Sequence, residues 1–258
     1  MKASLIVSIY KNIPALERIL QSLREQTLQD FELILSEDGN DASVAQFVKE
    51  YDFIWPMQHL TQEDLGWRKN RALNRAIVAA KTDWLIFIDG DCVLHPKFIE
   101  MHVRYQQAKV ILAGKRIKLN AHLSDQMLQG SLPCLLPYLL NRRGCRYVEE
   151  AFYLPIAHWL RRKVRHVVGS NMSMSKEALL SINGFDEQYT LPAVGEDYDI
   201  EWRLLAKGYR IVSLRNLAIQ YHLYHKENWQ DQVVNMRYCN EVKSRQEIIC
   251  KQGINTLI

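Results

Sequence analysis

The chain has no C-x-x-C pair. Its five cysteines (Cys92, Cys134, Cys145, Cys239, Cys250) are odd in number and widely spaced. That excludes a disulfide framework and a zinc ribbon, and it favours a reducing compartment. No window approaches the ~18 uncharged apolar residues that a membrane-spanning helix needs. The short apolar run from Leu5 to Tyr10 is interrupted by Lys11 and Asn12, and no small-residue cleavage site follows, so a signal peptide is not expected. The expected location is cytoplasmic, at most at the inner face of the cell membrane. Glycine (11) and proline (7) are too few for a collagen-like or low-complexity chain. Charge of one sign is also scarce: Lys+Arg 33 against Asp+Glu 29 gives +4, too mild to imply nucleic acid, and none is expected as a partner.

What is present is ordinary for a globular protein: 258 residues, 48% hydrophobic and 24% charged. The basic charge is concentrated. Between Gln129 and His166 there are seven basic residues (Arg142, Arg143, Arg146, Arg161, Arg162, Lys163, Arg165) against Glu149 and Glu150, so this stretch carries +5 and the rest of the chain −1.

Strand and helix signals alternate in the first third. Ser4 to Tyr10, Phe31 to Ser36 and Trp84 to Ile88 are apolar and β-rich, as in strands buried on both faces. Helices are predicted after Pro14, over about Ser43 to Tyr51, and over Arg68 to Ala80. Such alternation implies an α/β fold with a mostly parallel central sheet flanked by helices. Further on, a strand is predicted over Lys109 to Leu119 and another over Val167 to Met174. A helix is predicted over Lys176 to Ser181 and one over Glu196 to Lys207, stopping at Gly208. With no repeat and no linker, the expectation is a single domain over 1–258. It would have a first half (1–92), a second half (93–258), and the basic stretch at about 129–166 as an insertion.

In a parallel sheet the ligand lies beyond the carboxyl ends of the strands, where Glu37-Asp38-Gly39 and Asp89-Gly90-Asp91 both fall. Two carboxylates at the rim of a buried strand repel each other, and a divalent cation removes that penalty. The same D-x-D also fits an aspartyl-phosphate phosphatase, with Asp89 as nucleophile and Asp91 as acid/base. A second acidic group, Glu196, Asp197 and Asp199, opens a helix. The helix dipole accounts for some of it, but three acids in four positions exceed what capping requires, and a carboxylate there is well placed as a general base. His222 and His225, three apart, suit one helical face or a metal site. A carbohydrate-binding module using Trp67, Trp159 and Trp202 is a further alternative, though it has no need of both acidic motifs.

Taken in order, these pieces resemble the family 2 type of nucleotide-sugar glycosyltransferase with the GT-A, Rossmann-like nucleotide-binding fold. SLIVSIYKN is similar to its opening strand. LILSEDGNDAS is similar to its V-D-D-G-S-x-D turn, with Glu37 in place of the first Asp. GWRKNRALNRAI looks like its G-x-R-x-A-R-N segment, and FIDGD like its D-x-D motif. Asn171, Asn183-Gly184-Phe185-Asp186-Glu187, GEDYDIEWRL and the histidines resemble the galactosyltransferase-like and chondroitin-polymerase-like members.

The resemblance implies a UDP-sugar donor, a glycan or lipid-linked glycan acceptor, and a Mn2+ or Mg2+ cofactor. Tyr10 and Asp38 would hold uracil, and Arg68 would approach the base or pyrophosphate. Asp89, with Gly90, would lie near ribose and metal. Asp91, His225 and His222 would bind the metal, Asp197 would be the base, and Glu196 would touch the acceptor or share that role. Ala193-Val194-Gly195 stands where the related galactosyltransferases have W-G-G, so the acceptor does not carry over. The basic stretch, where Leu135 to Leu140 and Phe152 to Leu160 flank the arginines, is expected to meet an anionic membrane or an anionic acceptor.

Overall fold

The computed structural model describes residues 1–130, 144–155, 164, 166–192, 195–226 and 232–257. Most of the basic stretch therefore lies outside the described residues, including all its basic side chains except Arg146, as do Ala193 and Val194.

The apolar runs form β1 (Ala3–Ile9), β2 (Phe31–Glu37) and β4 (Trp84–Asp89), with β3 (Met57–Leu60) at the sheet edge. Between them lie α1 (Ile13–Arg24), α2 (Ala42–Glu50) and α3 (Lys69–Ala79). Pro14 sits in the first turn of α1, where its missing N–H leaves no bond unmade. Asn12 caps that helix by accepting the Ala15 N–H at 3.2 Å, and Asp41 caps α2 through Ser43 and Val44. β1 pairs in parallel with β2 and β4, and β2 with β3. Leu5, Val7 and Ile9 face one layer with Leu16, Ile19 and Leu20 of α1, while Ile6 faces the other with Leu73 and Ile77 of α3. Burial on both faces is why these strands read as continuous apolar runs.

The chain continues through β5 (Cys92–Leu94), α4 (Phe98–Arg104), β6 (Val110–Ala113), β7 (Ile117–Lys118), α5 (Ala121–Leu128), β8 (Met172–Ser175) and α6 (Lys176–Leu180). It then forms α7 (Glu196–Ala206), β9 (Arg210–Ser213), β10 (Gln220–His222) and α8 (Val233–Ser244). The large sheet runs β3-β2-β1-β4-β8-β6-β9, with β8 antiparallel to both neighbours and the other pairs parallel. A small sheet, β5-β10-β7, lies beyond the end of β4.

Two sequence expectations need correction. Residues 109–119 are not one strand, because the chain leaves the large sheet at Gly114 and joins the small one at Ile117. A Cβ at Gly114 would lie 2.3 Å from the Asn171 side chain, whose amide donates to the Lys115 and Ala218 carbonyls and pulls the chain aside. The strand expected over 167–174 begins only at Met172. Before it, the N–H groups of Val167 and Gly169 donate to the carboxylates of Glu201 and Asp197 instead of to a ladder. Gly208, at φ 80°, ends α7 as expected.

Register sets the site. Asp89 pairs with Ser8, and Glu37 with Ile9, so Tyr10, Asp38 and Gly90 all leave the sheet at one edge. The described cysteines, Cys92, Cys145, Cys239 and Cys250, are free. No helix among the described residues is long and apolar enough to cross a membrane.

Candidate active site

Gly90 lets β4 pass close to β1: a Cβ there would lie 2.6 Å from the Ser8 carbonyl oxygen. The chain then enters β5, where Cys92 pairs with His222 of β10 and the Leu223 N–H donates to the Asp91 carbonyl at 2.9 Å. This pairing brings Nε2 of His222 and Nε2 of His225 to 3.3 Å and 3.4 Å from Asp91 Oδ2. The two histidines meet through a strand end and the segment after it, not through a helical face. Burial opposes ionisation of Asp91, but the His225 hydrogen bond and the field of His222 outweigh it and hold the carboxyl down at about 2. Burial lowers the His222 pKa, while the bond to Asp91 raises that of His225.

These side chains fit a divalent cation. One carboxylate oxygen and two imidazole nitrogens lie within 4.8 Å of one another. A metal needs the carboxylate ionised, which it is, and the imidazoles neutral. A mixed oxygen and nitrogen set suits Mn2+ better than Mg2+, which strongly prefers oxygen.

Asp89 faces other partners. Its Oδ1 accepts from Lys69 Nζ at 2.7 Å, and its Oδ2 lies 3.4 Å from Arg116. The same Lys69 ammonium donates to Glu196 Oε1 at 2.7 Å. Burial would neutralise Lys69, but the charges of Asp89 and Glu196 prevail and hold it protonated. Burial pushes the Glu196 carboxyl up; Lys69 pulls it back, and the neighbouring Asp89 and Asp197 push it further up. The second Glu196 oxygen is buried without a hydrogen-bond partner among the described residues.

The three acids of α7 divide. Gly195 precedes them at φ 130°, packed so closely that a Cβ would fall 2.1 Å from the Tyr189 ring. Glu196 and Asp197 line the cleft. Asp197 Oδ2 accepts the Gly169 N–H at 3.1 Å, and its Oδ1 accepts the Tyr198 N–H at 2.8 Å. Asp199 turns into the core, where Arg203 bonds it at 2.6 Å and Asp186 at 3.1 Å. Asp199 is therefore structural.

Two cavities share this floor. The first, about 540 Å³, is lined by Tyr10, Ser36, Asp38 and Gly90. The second, about 340 Å³, is lined by Lys118, Ser170, Pro192, Glu196 and Asp197. Trp67, Lys69, Asp89, Asp91 and His225 border both. Tyr10 is exposed at the rim, its hydroxyl donating to Asp64 at 3.2 Å. Asp38 accepts from Gln62 Nε2 and from the Arg68 amide, each at 2.7 Å. Arg68 itself lines a separate cavity.

The structure thus gathers Tyr10, Asp38, Asp89, Gly90, Asp91, His222, His225, Glu196 and Asp197 around one cleft, and it leaves the Arg68 side chain out. Sequence reasoning missed Lys69, Arg116 and Gly169. Helical spacing puts Lys69 on one face with Ala72, Leu73 and Ala76, and Arg68 on another with Arg71 and Arg75, but it does not identify the acidic partners of Lys69.

The model of a family described as "Glycosyltransferase like family 2" matches residues 2–237. Chondroitin synthase of Escherichia coli is 25% identical over 236 residues, covering 85% of this chain and 34% of its own. Validoxylamine A glucosyltransferase of Streptomyces hygroscopicus subsp. jinggangensis is 27% identical over 224 residues, covering 80% of this chain and 51% of its own. The chain therefore spans about a third to a half of these relatives' length. Among solved structures, S. aureus TarS 1–349 in complex with UDP-GlcNAc has a TM-score of 0.65 at 16% identity, covering 99% of this chain and 69% of that one. The mannosyltransferase PcManGT from Pyrobaculum calidifontis, in complex with GDP-Man and Mn2+, has a TM-score of 0.58 at 14% identity, covering 88% and 58%. At such identities the likeness is one of fold, here the GT-A type. With a cleft of this geometry and a family match over nearly its whole length, the chain belongs to glycosyltransferase family 2.

Proposed function

We propose that the protein is an inverting, metal-dependent enzyme that moves a sugar from a UDP-sugar to a hydroxyl of a glycan acceptor, in the synthesis of a bacterial cell-surface polysaccharide or lipopolysaccharide. The observation that carries this reading is Lys69, whose ammonium lies 2.7 Å from both Asp89 and Glu196. It fixes the two acidic motifs on facing walls of one cleft. The first cavity, between Tyr10 and Asp38, takes the nucleotide, and the second takes the acceptor.

Asp91, His222 and His225 would hold Mn2+, which would supply Lewis-acid stabilisation of charge on the leaving diphosphate. Asp197 removes the proton from the acceptor hydroxyl. Its carboxylate is oriented for that task by the Gly169 and Tyr198 N–H groups. The hydroxyl oxygen attacks the anomeric carbon from the face opposite the leaving group, so one displacement inverts that centre. Glu196, tied to Lys69, contacts the acceptor. The aspartyl-phosphate alternative has less support, because Lys69 and Arg116 engage both oxygens of Asp89 and quench its nucleophilicity.

A thermal-shift screen of nucleotide sugars with and without Mn2+ tests the proposal. A UDP-sugar at 100 times its Kd should add about 2.7 kcal/mol, and only with the metal. Absence of stabilisation by every nucleotide sugar would sink the reading.

A further inference from the structure

Helix α3 has two chemically different faces. Lys69 and Ala72 border the cleft, while Arg68, Arg71 and Arg75, at i, i+3 and i+7, line a separate cavity of about 620 Å³. Leu60, Val78 and Leu257 complete its apolar wall. Among the described residues, each guanidinium makes a contact that leaves most of its five N–H donors over. Arg68 Nη2 donates to the Glu63 carbonyl and Arg75 Nη1 to the Thr61 carbonyl, neither of which neutralises charge. Arg71 pairs with Glu187 at 3.0 Å, but Glu187 also accepts from Asn74 at 3.1 Å and Thr256 at 3.3 Å. The Nε of Arg68 is buried without a hydrogen-bond partner. Three guanidinium groups thus converge on one cavity, and among the described residues they meet the Glu187 carboxylate paired with Arg71 and Glu63, which also lines the cavity, so positive charge is left in excess. An anion would balance it.

We propose that this cavity is a second anion site, distinct from the nucleotide cleft, which takes a phosphate-bearing ligand through Arg68, Arg71 and Arg75. Guanidinium forks match phosphate oxygens, and the apolar wall accommodates the group that the phosphate carries. The site has a mechanical link to the cleft. The Arg68 amide donates to Asp38 Oδ2 at 2.7 Å, and the Arg68 carbonyl accepts from Gln62 Nε2 at 3.1 Å. An anion that draws on Arg68 therefore bears on the segment that holds Asp38.

Calorimetric titration of the whole protein with inorganic pyrophosphate, in chelator so that no metal-held diphosphate contributes, tests the site. Wild type and Asp91→Ala should bind alike, whereas Arg68→Gln/Arg75→Gln should bind at least about tenfold more weakly, the usual scale for lost charge-assisted bonds. If the double variant fails to fold, Arg75→Lys should still lose affinity, since it keeps the charge and loses the fork. Vesicles of phosphatidylcholine with and without phosphatidic acid distinguish the sources. Capture by phosphatidic acid assigns a lipid phosphate, and pyrophosphate binding without capture assigns a soluble one. No binding in chelator, equal binding by wild type and the arginine variants, or tighter binding by Asp91→Ala, which removes a repelling carboxylate from the cleft, would each overturn the proposal. The last result would return the anion to the cleft. Because the metal is absent throughout, none of these outcomes bears on the UDP-sugar reading.

Discussion

Asp89-Gly90-Asp91 leaves a strand held by paired neighbours on both sides, whereas Glu196-Asp197 opens a helix behind a glycine at φ 130°. On the strand wall, position comes from backbone register, and each carboxylate meets cations or imidazoles. On the helix wall, position comes from side chains. Asp197 and Glu201, one turn apart, grip the loop before β8 through the Gly169 and Val167 N–H groups, at 3.1 Å and 2.7 Å. The electrostatics differ in the same sense. The His225 and His222 contacts hold Asp91 ionised against its burial, whereas burial and neighbouring acids push Glu196 up. A compensated wall suits binding of a cation and a diphosphate. A wall with a raised carboxyl beside a second acid suits handling a proton.

If that division holds, the largest effect comes from Asp197→Asn, which keeps the shape and loses the proton acceptor. Transfer should fall by a factor of about 10²–10⁴. Wild-type turnover in a sugar-transfer assay would move the base elsewhere.

Arg203 supports the helix wall from behind, its side chain fully buried between Asp199 and Asp186. Arg203→Ala leaves two buried carboxylates unpaired and should cost about 3–5 kcal/mol in urea unfolding. A loss well under 1 kcal/mol would show that the network does not anchor α7.

The glycines sharpen the comparison. Gly90→Ala drives a Cβ against the backbone of Ser8 and should cost about 1–3 kcal/mol, weakening UDP binding as well. At Gly169 the Cβ would meet Glu196 Oε1 at 2.9 Å, the end of a side chain that can move. Gly169→Ala should therefore change stability by only about 0.5 kcal/mol, yet slow transfer, because Glu196 is displaced. Equal destabilisation by both substitutions would erase the distinction between a register-built wall and a side-chain-built one.

A pH-dependent effect concerns His102, beneath the same loop, with Nδ1 2.8 Å from Ser173 Oγ and Nε2 3.1 Å from Asn171 Oδ1. Burial outweighs the Asn171 bond and holds its pKa down at about 3. The unfolded chain takes up a proton below about 6.5 and the folded one does not, so stability falls as pH drops from there towards 3. Its contribution is at most about 1.4 kcal/mol per pH unit in that window. Melting temperatures between pH 7 and pH 5 should decline less steeply in His102→Gln; an unchanged slope would contradict the assignment.

The first half of the fold was legible because strands buried on both faces and helices with one apolar stripe leave opposite periodicities, as in Leu5 to Ile9 and Leu16 to Leu23. β6 and β7 were merged because Gly114 marks a change of sheet that only the Asn171 contact explains. In the site, residues with distinctive chemistry stood out: the D-G-D, the E-D pair and the histidines. Lys69 and Arg116 did not, because a basic residue at a helix start or before a short strand looks like solvated surface until its acidic partners are known. Lys69 meets Glu196 across 127 positions of sequence, and no local pattern records that distance.

Calorimetric titration of UDP in Mn2+, carried out in parallel on Asp91→Ala and Asp197→Asn, tests most directly whether one wall binds and the other reacts. The division of labour predicts that Asp91→Ala abolishes the Mn2+-dependent binding, while Asp197→Asn binds UDP within about twofold of wild type, a difference of less than ~0.5 kcal/mol. Metal-dependent binding that survives in Asp91→Ala, or is lost in Asp197→Asn, would contradict it.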